Sequence, residues 1–348
     1  MNATGTHKDR GPTHGRPPRV GFLGVGWIGR HRMQAMLEDG GVEAAAICDP
    51  SPDMVREALK LAPEATVVAS FASLLNLALD GVVIATPSAL HAQQSIQALQ
   101  QGLAVFCQKP LGRSKCEVET VVAAARKADR LLCVDLSYRH TAGMRLIRDL
   151  VRSGEIGRVF AADLVFHNAY GPDKAWFFDR TLSGGGCVVD LGIHLVDLAL
   201  WTLGHVQADA VDSKLLRQGR PISSTDGEVE DFATAVITLS TGTVVRLICS
   251  WHLQAGRDAI ISASFYGTKG GAALHNVNGS FYDFVAEHYR GTQTTVLCSP
   301  PDQWAGRCAV DWARRLAANR AYDSQCEELI EVSALLDRIY RGTLEHRQ

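Results

Sequence analysis

The chain has 348 residues, of which 46% are hydrophobic, and this is enough apolar material for a large core in roughly two domains. Its 35 Lys and Arg residues nearly balance 37 Asp and Glu residues, so the formal net charge is -2. A chain without a strong net charge has no field that attracts phosphate backbones or anionic lipids, and we expect neither a nucleic acid nor a membrane as partner.

Residues 1–18 are polar, carry several Pro, Gly and basic residues, and contain no apolar segment of the signal-peptide type. They predict a disordered arm, which is either solvated or in contact with an acidic partner. The nine cysteines are scattered and include no Cys-x-x-Cys pair, which favours small core residues in a reducing compartment. Since no apolar run reaches the roughly 18 residues that span a bilayer, we expect a cytoplasmic protein.

From residue 19 onward, short apolar runs alternate with longer amphipathic stretches, a pattern typical of strands and helices around a parallel sheet. The predicted strands are Val20–Leu23, Ala44–Cys48, Val67–Ala69, Gly81–Ala85, Ala104–Cys107 and Leu131–Val134. The predicted helices are Ile28–Glu38, Met54–Leu61, Ser73–Leu79, Leu90–Gln101 and Lys115–Ala128. This alternation predicts an α/β Rossmann dinucleotide-binding domain over residues 19–139.

After residue 140 the pattern changes to longer alternating runs, which are typical of half-buried strands. The predicted strands are Val159–Phe166, Phe232–Leu239, Val244–Trp251 and Ile260–Tyr266. The predicted helices are Gly143–Ser153, Cys187–Leu203, Trp304–Ala318 and Ser324–Tyr340. Residues 140–348 are therefore predicted to form an α+β domain whose antiparallel or mixed sheet carries helices on one face.

A glycine loop follows the first predicted strand and opens the first predicted helix. Gly24, Gly26 and Gly29 have the G-x-G-x-x-G spacing, with Trp27 and Ile28 between the last two. The first glycine permits a tight turn, the second lets the backbone approach a pyrophosphate, and the third allows close packing of helix and strand. The alternative is a glycine-rich turn without a ligand, but the strand and helix around the loop favour a dinucleotide site.

Asp49 stands at the end of the second predicted strand, twenty residues after the last glycine. A carboxylate there accepts hydrogen bonds from the adenosine ribose and repels a 2′-phosphate, so the sequence predicts NAD rather than NADP. The alternative is an Asp-Pro turn, because residues 49–52 are also of types that are common in turns.

Four segments, taken together, resemble the glucose-fructose oxidoreductase and inositol dehydrogenase family, called Gfo/Idh/MocA. Their order and spacing hold over most of the chain. They are Val20–Gly29, Ala85–Ser88 with His91, Gln108–Leu111, and Gly184–Gly186 followed by Asp190–His194.

The resemblance implies a Rossmann domain followed by a domain with an open, mostly antiparallel sheet that often serves as an oligomer face. We therefore expect a homodimer or homotetramer. It also implies NAD(P)-dependent oxidation or reduction of a ring hydroxyl or carbonyl of a sugar, sugar derivative or cyclitol.

Lys109 lies just beyond the fifth predicted strand, at the sheet edge where doubly wound folds bind ligands. By the resemblance it sits beside the nicotinamide and polarises the reacting oxygen, whereas a lone Lys-Pro is otherwise a solvated loop lysine. Gln108 occupies the position at which many relatives have Glu, and it lacks the negative charge that would stabilise a charged Lys109.

Asp190 and His194 are four residues apart on a predicted helix, so their side chains share one face. By the resemblance, His194 exchanges the substrate proton together with Lys109, and Asp190 positions a ring hydroxyl. The alternative from the residues alone is a buried Asp and His pair that satisfies itself. Asp190, His194 and Asp197 also suggest a divalent metal, but without a further ligand cluster we predict no metal site.

Thr86, Pro87 and His91 match family positions near the cofactor, although Thr-Pro before a helix is also ordinary turn chemistry. Arg139 and Trp176 are predicted substrate contacts, because a guanidinium fork and an aromatic face suit polyols.

The sequence thus predicts an NAD(P)-dependent oxidoreductase. Two alternatives remain: a dinucleotide-sensing regulatory protein on the same fold, and NAD-assisted elimination or glycosidase chemistry.

Overall fold

The computed structural model of the chain describes residues 16–222 and 227–345. The first fifteen residues of the predicted arm lie outside the described residues. Two sheets organise the described chain, one of six strands and one of nine.

The first sheet is parallel throughout, with the strand order β3-β2-β1-β4-β5-β6. Its strands are Arg19–Leu23 (β1), Glu43–Cys48 (β2), Thr66–Val67 (β3), Gly81–Ile84 (β4), Ala104–Cys107 (β5) and Leu132–Val134 (β6). β4 and β5 are buried at every position, as expected of a parallel sheet covered on both faces. The strand order reverses between β1 and β4, which opens a crevice at the carboxyl ends of these strands.

Five helices connect the strands of this sheet. They are Trp27–Glu38 (α1), Pro52–Leu59 (α2), Phe71–Leu75 (α3), Ser88–Gln100 (α4) and Lys115–Ala128 (α5). The third helix begins two residues before its predicted start, because the Ser70 hydroxyl accepts the backbone N–H of Ser73 and caps the helix.

The second sheet is mixed and mostly antiparallel, in the order β15-β14-β13-β12-β7-β11-β10-β8-β9, with β7 and β11 as the parallel pair. Its strands are Val159–Asn168 (β7), Ala208–Arg217 (β8), Arg220–Pro221 (β9), Phe232–Leu239 (β10), Val244–Ser250 (β11), Ala259–Gly267 (β12), Gly271–Asn276 (β13), Phe284–Arg290 (β14) and Gln293–Cys298 (β15). The predicted fold class, a Rossmann sheet followed by an open and mostly antiparallel one, is confirmed.

Five α-helices lie in the described residues of the second half of the chain. They are Ala142–Arg152 (α6), Arg180–Ser183 (α7), Ile193–Leu203 (α8), Arg307–Ala318 (α9) and Glu328–Glu345 (α10). A π-helical turn, Val188–Gly192, leads directly into α8, so the predicted helix Cys187–Leu203 forms with a widened first turn. Gly204 ends it in the left-handed conformation, as its position predicted.

The two faces of the second sheet differ in exposure. α6, α8 and α10 pack on the inner face, where Ala235, Val245 and Leu247 are buried. On the outer face, Val236 in β10 and Val296 in β15 are 45% and 57% exposed, with five strands between β10 and β15. Between them the outer face carries polar side chains, including the ion pair of Arg246 with Asp163, so this face is mixed in character.

The last part of the chain returns to the first sheet. Trp312 of α9 is fully buried, and its ring lies 5.8 Å from that of Phe106 in β5. Met33 of α1 and Leu316 of α9 belong to the same cluster. Residues before and after the predicted domain boundary at residue 140 therefore share a core, because α9 from the second half covers one face of the first sheet.

One stretch of the described chain, Arg180–Leu203, is long and apolar enough to cross a membrane by length and composition. It is not an uninterrupted apolar run, because Asp190, His194 and Asp197 lie within it. In the structure 83% of its most apolar window is buried inside the protein, where it forms the core helix α8 and its approach.

Candidate active site

The glycine loop, residues Gly24–Gly29, connects β1 to α1 at the carboxyl edge of the first sheet. Gly24 has φ +83°, and a Cβ built on it would lie 2.5 Å from the carbonyl oxygen of Ala85. Only glycine fits that close approach of the loop to the end of β4. Trp27 is 57% exposed, Ile28 is half-buried, and Gly29 is buried inside the first turn of α1.

The start of α1 is suited to phosphate groups. Gly26 caps the helix without a side-chain hydrogen bond, and the first turn has no acidic residue. The first N–H groups of the helix are therefore unpaired by side chains and carry the positive end of the helix dipole. The space beside Gly26 is open except for the Lys174 ammonium, which would be 3.9 Å from a Cβ built there. This cradle fits the pyrophosphate of a dinucleotide.

Asp49 lies beside this loop, as its spacing predicted, and it also stabilises the loop. One carboxylate oxygen accepts the N–H of Val25 at 2.8 Å, and the other accepts the N–H of Ser51 at 2.9 Å. Each oxygen retains a second lone pair for a ribose hydroxyl. Asp49 can therefore form the Asp-Pro turn and still bind a ribose hydroxyl.

His91 links two loops rather than facing a ligand. Its ring is 2% exposed, with Nδ1 2.7 Å from the carbonyl oxygen of Pro110 and Nε2 2.6 Å from that of Thr86. Burial lowers the pKa of the imidazole from its ordinary value. The predicted cofactor contact of His91 is thus replaced by a positioning role. The Thr86 hydroxyl is bonded to Gln94, and Pro87 caps α4.

Lys109 and Asp190 meet at the junction of the two sheets. The Lys109 ammonium donates to Asp190 Oδ1 at 2.6 Å and to the Asp190 carbonyl oxygen at 2.7 Å. The two side chains are 19% and 16% exposed, so the ion pair is shielded from water but accessible from one side. The indole N–H of Trp251 donates to the second carboxylate oxygen of Asp190 at 3.0 Å. Sequence analysis did not find Trp251, because it lies 61 residues from Asp190.

The Gly184–Gly186 run positions Asp190. A Cβ built on Gly186 would lie 1.9 Å from the carbonyl oxygen of Glu230, so only glycine allows this backbone contact. Glu230 Oε1 accepts the N–H groups of Gly186 and Val188 and the hydroxyl of Tyr340. Burial raises the pKa of Glu230, which is fully inaccessible to solvent. Glu230 thereby holds the start of the π-helical turn that carries Asp190.

His194 begins the helix after that turn and is 8% exposed. Its ring centroid is 4.9 Å from that of Tyr138, and its Nδ1 is buried without a hydrogen-bond partner among the described residues. Burial, followed by the charges of Lys109 and Arg32, lowers the pKa of His194 well below its ordinary value. The imidazole is therefore neutral at pH 7, and its unpaired Nδ1 is available for a hydrogen bond.

Arg139 is not available to a substrate. Its guanidinium forms hydrogen bonds with both carboxylate oxygens of Asp197 and with Glu328, and it lies 5.7 Å from the ring centroid of Trp201. The predicted substrate contact was wrong, because the buried Asp197 and the half-buried Glu328 hold the guanidinium in a structural ion pair.

Trp176 stacks on Phe177, with ring centroids 3.9 Å apart. Phe177 and the next residue, Phe178, approach the ring of Trp251 edge-on. The aromatic turn thus reaches the residue that binds Asp190, and Trp176 in it is half-exposed. Its predicted contact with substrate stays a prediction.

In residues 16–222 and 227–345 no group of three or more His, Cys, Asp or Glu side chains is arranged to hold a metal ion. The Asp197 carboxylate is paired with Arg139.

Comparison with protein families matches residues 18–136 to the oxidoreductase family with an NAD-binding Rossmann fold, and residues 144–273 to the GFO/IDH/MocA C-terminal domain. The chain belongs to the Gfo/Idh/MocA family of oxidoreductases. Among curated relatives of this Gfo/Idh/MocA protein, D-glucoside 3-dehydrogenase of Escherichia coli (strain K12) is 26% identical over 74% of the chain and 77% of its own length.

Solved structures show the same fold. A levoglucosan dehydrogenase in complex with NADH and levoglucosan has a TM-score of 0.82 at 20% identity, over 95% of this chain and 98% of that one. A 3-ketoreductase from Actinomadura kijaniata, in complex with NADP and TDP-benzene, has a TM-score of 0.80 at 21% identity, over 94% and 98%. These family members differ in cofactor, so membership alone leaves NAD and NADP open.

The position of Lys174 leads to a prediction. Its side chain is exposed and its ammonium lies at the cradle of α1, so it should contact the pyrophosphate. Lys174→Gln should weaken NADH binding about three- to tenfold at low salt and less at high salt, because exposed charges are screened. Fluorescence titration of NADH measures this change.

Lys127→Gln is the matched control, since Lys127 is equally exposed but lies at the far end of α5. Equal affinities for the two variants would contradict the contact.

Proposed function

We propose that this Gfo/Idh/MocA protein is an NAD-dependent oxidoreductase that interconverts a ring hydroxyl and a ketone of a sugar, sugar derivative or cyclitol. The contact between Lys109 and Asp190 carries the proposal, because it places an ammonium and a carboxylate together at the carboxyl edge of the nucleotide-binding sheet. A polyol needs such a mixed polar site, in which one hydroxyl reacts and another is held.

A bound nicotinamide supplies the hydride acceptor for the alcohol carbon. Side chains of the protein stabilise the developing charge, transfer the proton and position the substrate. The Lys109 ammonium donates to the reacting oxygen and stabilises its developing negative charge. His194, whose Nδ1 has no partner among the described residues, takes up the hydroxyl proton, and Asp190, held by Trp251, accepts a hydrogen bond from a neighbouring hydroxyl. In the direction of reduction, the same groups return the proton to the oxygen.

The preference for NAD rests on Asp49, whose carboxylate stands beside the glycine loop.

We also propose an oligomeric state and a location in the cell. The open outer face of the second sheet, with its exposed Val236 and Val296, is the surface through which copies of the chain would form a homodimer or homotetramer. The nine cysteines are all free thiols, as befits a cytoplasmic protein.

A substrate screen tests the activity. NADH fluorescence should rise when the protein and NAD are mixed with one or more members of a panel of free sugars, cyclitols, sugar phosphates and nucleotide sugars. NADH binding without turnover on the whole panel would favour the regulatory alternative. Conversion of a glycoside without net NADH formation would favour elimination or glycosidase chemistry.

Lys109 gives the sharpest prediction for the chemistry. Lys109→Met should lower kcat by roughly 10²- to 10⁴-fold, because it removes the donor to the reacting oxygen, while NADH binding changes little. The measurements are steady-state turnover and NADH titration. Lys115→Met removes an exposed lysine of α5 that pairs with Glu119, and it should retain normal turnover. A Lys109→Met enzyme with normal turnover would exclude the assigned role.

Asp49 gives the prediction for the cofactor. Asp49→Ala removes hydrogen bonds to the ribose and the repulsion of a 2′-phosphate, so the ratio of kcat/KM for NAD to that for NADP should fall by about tenfold or more. Asp53→Ala is the control, because Asp53 is an exposed acid nearby that pairs with Arg56. If both variants keep the original ratio, Asp49 acts only as a loop anchor.

A further inference from the structure

A buried ion pair lies behind the reacting lysine. Asp135 follows β6 and is 1% exposed, and Arg32 in the second turn of α1 is 5% exposed. Arg32 Nε donates to Asp135 Oδ2 at 2.5 Å, although the two residues are 103 positions apart. Gln108 Nε2 donates to the same oxygen at 2.6 Å.

This single carboxylate connects three segments of the site. Arg32 belongs to the helix whose first turn forms the phosphate cradle, and Gln108 directly precedes Lys109. Residue 135 follows the strand that pairs with β5, and its N–H donates to the carbonyl oxygen of Cys107. The next residues lead to Tyr138, whose ring packs on His194. Movement of Asp135 would therefore disturb the cradle, the lysine loop and the imidazole together.

The chemistry of the acceptor determines the orientation of Gln108. A carboxylate only accepts hydrogen bonds, so the amide nitrogen of Gln108 points to Asp135 and its carbonyl oxygen points away. A glutamate at residue 108 would instead place a second carboxylate about 2.6 Å from the first. Two carboxylates at that distance cannot both ionise. The residue at 108 and the residue at 135 are thus chemically dependent on each other.

From this arrangement we infer that Asp135 is a positioning residue of the active site, which supplies from β6 the negative charge that residue 108 lacks. The inference rests on the proposed function, because it assigns Asp135 to the support of Lys109 and of the cofactor cradle.

The other titratable groups that sense the Asp135 carboxylate are uncharged near neutral pH. Burial raises the pKa of Cys107 to about 12 and that of Cys308 in α9 well above its ordinary value. Burial lowers the pKa of His140 to about 4. Among the described residues, Arg32 is therefore the ionised partner that balances Asp135.

A double-mutant cycle tests this dependence. Gln108→Glu creates a repelling pair of carboxylates, and Asp135→Asn leaves Arg32 as a buried unpaired cation. Each change alone should weaken NADH binding roughly tenfold. The double variant Gln108→Glu with Asp135→Asn restores one carboxylate and one amide, and it should bind NADH within about threefold of the original protein. Gln97→Glu on the exposed side of α4 adds the same charge and should change nothing.

Independent effects of the two changes, in which the loss in the double variant equals the product of the single losses, would overturn the inference. If Asp135→Asn fails to fold, the single variant Gln108→Glu still decides. Its NADH affinity should recover between about pH 8 and about pH 5.5, because protonation of one carboxyl relieves the repulsion. A weak affinity that stays constant over this range would refute the coupling.

Because the experiment measures NADH binding, it also tests the role of Asp135 independently of the proposed reaction. NADH binding needs no substrate, so the cycle is measurable even if no panel member is oxidised. Coupling without any turnover would refute the proposed reaction and support the role of Asp135. Turnover in the original protein with independent effects of the two changes would support the reaction and refute that role.

Discussion

One ammonium joins the two sheets at the site. Lys109 extends from the end of β5 to Asp190 in the π-helical turn before α8, and the two residues are 81 positions apart in the chain. Since the pair is largely shielded, loss of either partner leaves a charge in poorly solvated surroundings. Trp251, which follows β11 of the second sheet, donates a hydrogen bond to the Asp190 carboxylate. Glu230 accepts a hydrogen bond from the N–H of Gly186 and so holds the start of the turn. The position of the ammonium is therefore determined by both halves of the fold.

Around Lys109, the charged side chains are held in ion pairs. Burial lowers the pKa values of His91 and His194 and raises that of the Tyr138 hydroxyl, so these groups are neutral at pH 7. The ionised side chains that remain near Lys109 are held in pairs with Asp190 and between Arg32 and Asp135. In such poorly solvated surroundings, a developing charge on a substrate oxygen is stabilised by the ammonium more strongly than in water.

Local patterns predicted much of this arrangement. Apolar runs identified the strands of the first sheet, glycine spacing identified the cradle, and the family resemblance pointed to Lys109 and Asp190. Features that depend on distant partners were missed. Arg139 looked free in sequence, but its partner Glu328 is 189 residues away, and Trp251 reaches Asp190 only because β11 passes beneath the π-helical turn. Periodicity describes one face of one element, and it does not identify the side chain that an opposing element presents.

The return of α9 to the first sheet has a consequence for biosynthesis. Trp312 fills the face of the sheet that Phe106 and Met33 line, and its helix α9 follows the last strand of the second sheet in the chain. A nascent chain that has released only its first 140 residues from the ribosome still exposes that face. The nucleotide-binding half therefore completes its core only after the nine strands of the second sheet have been synthesised, although its own strands come first in the chain.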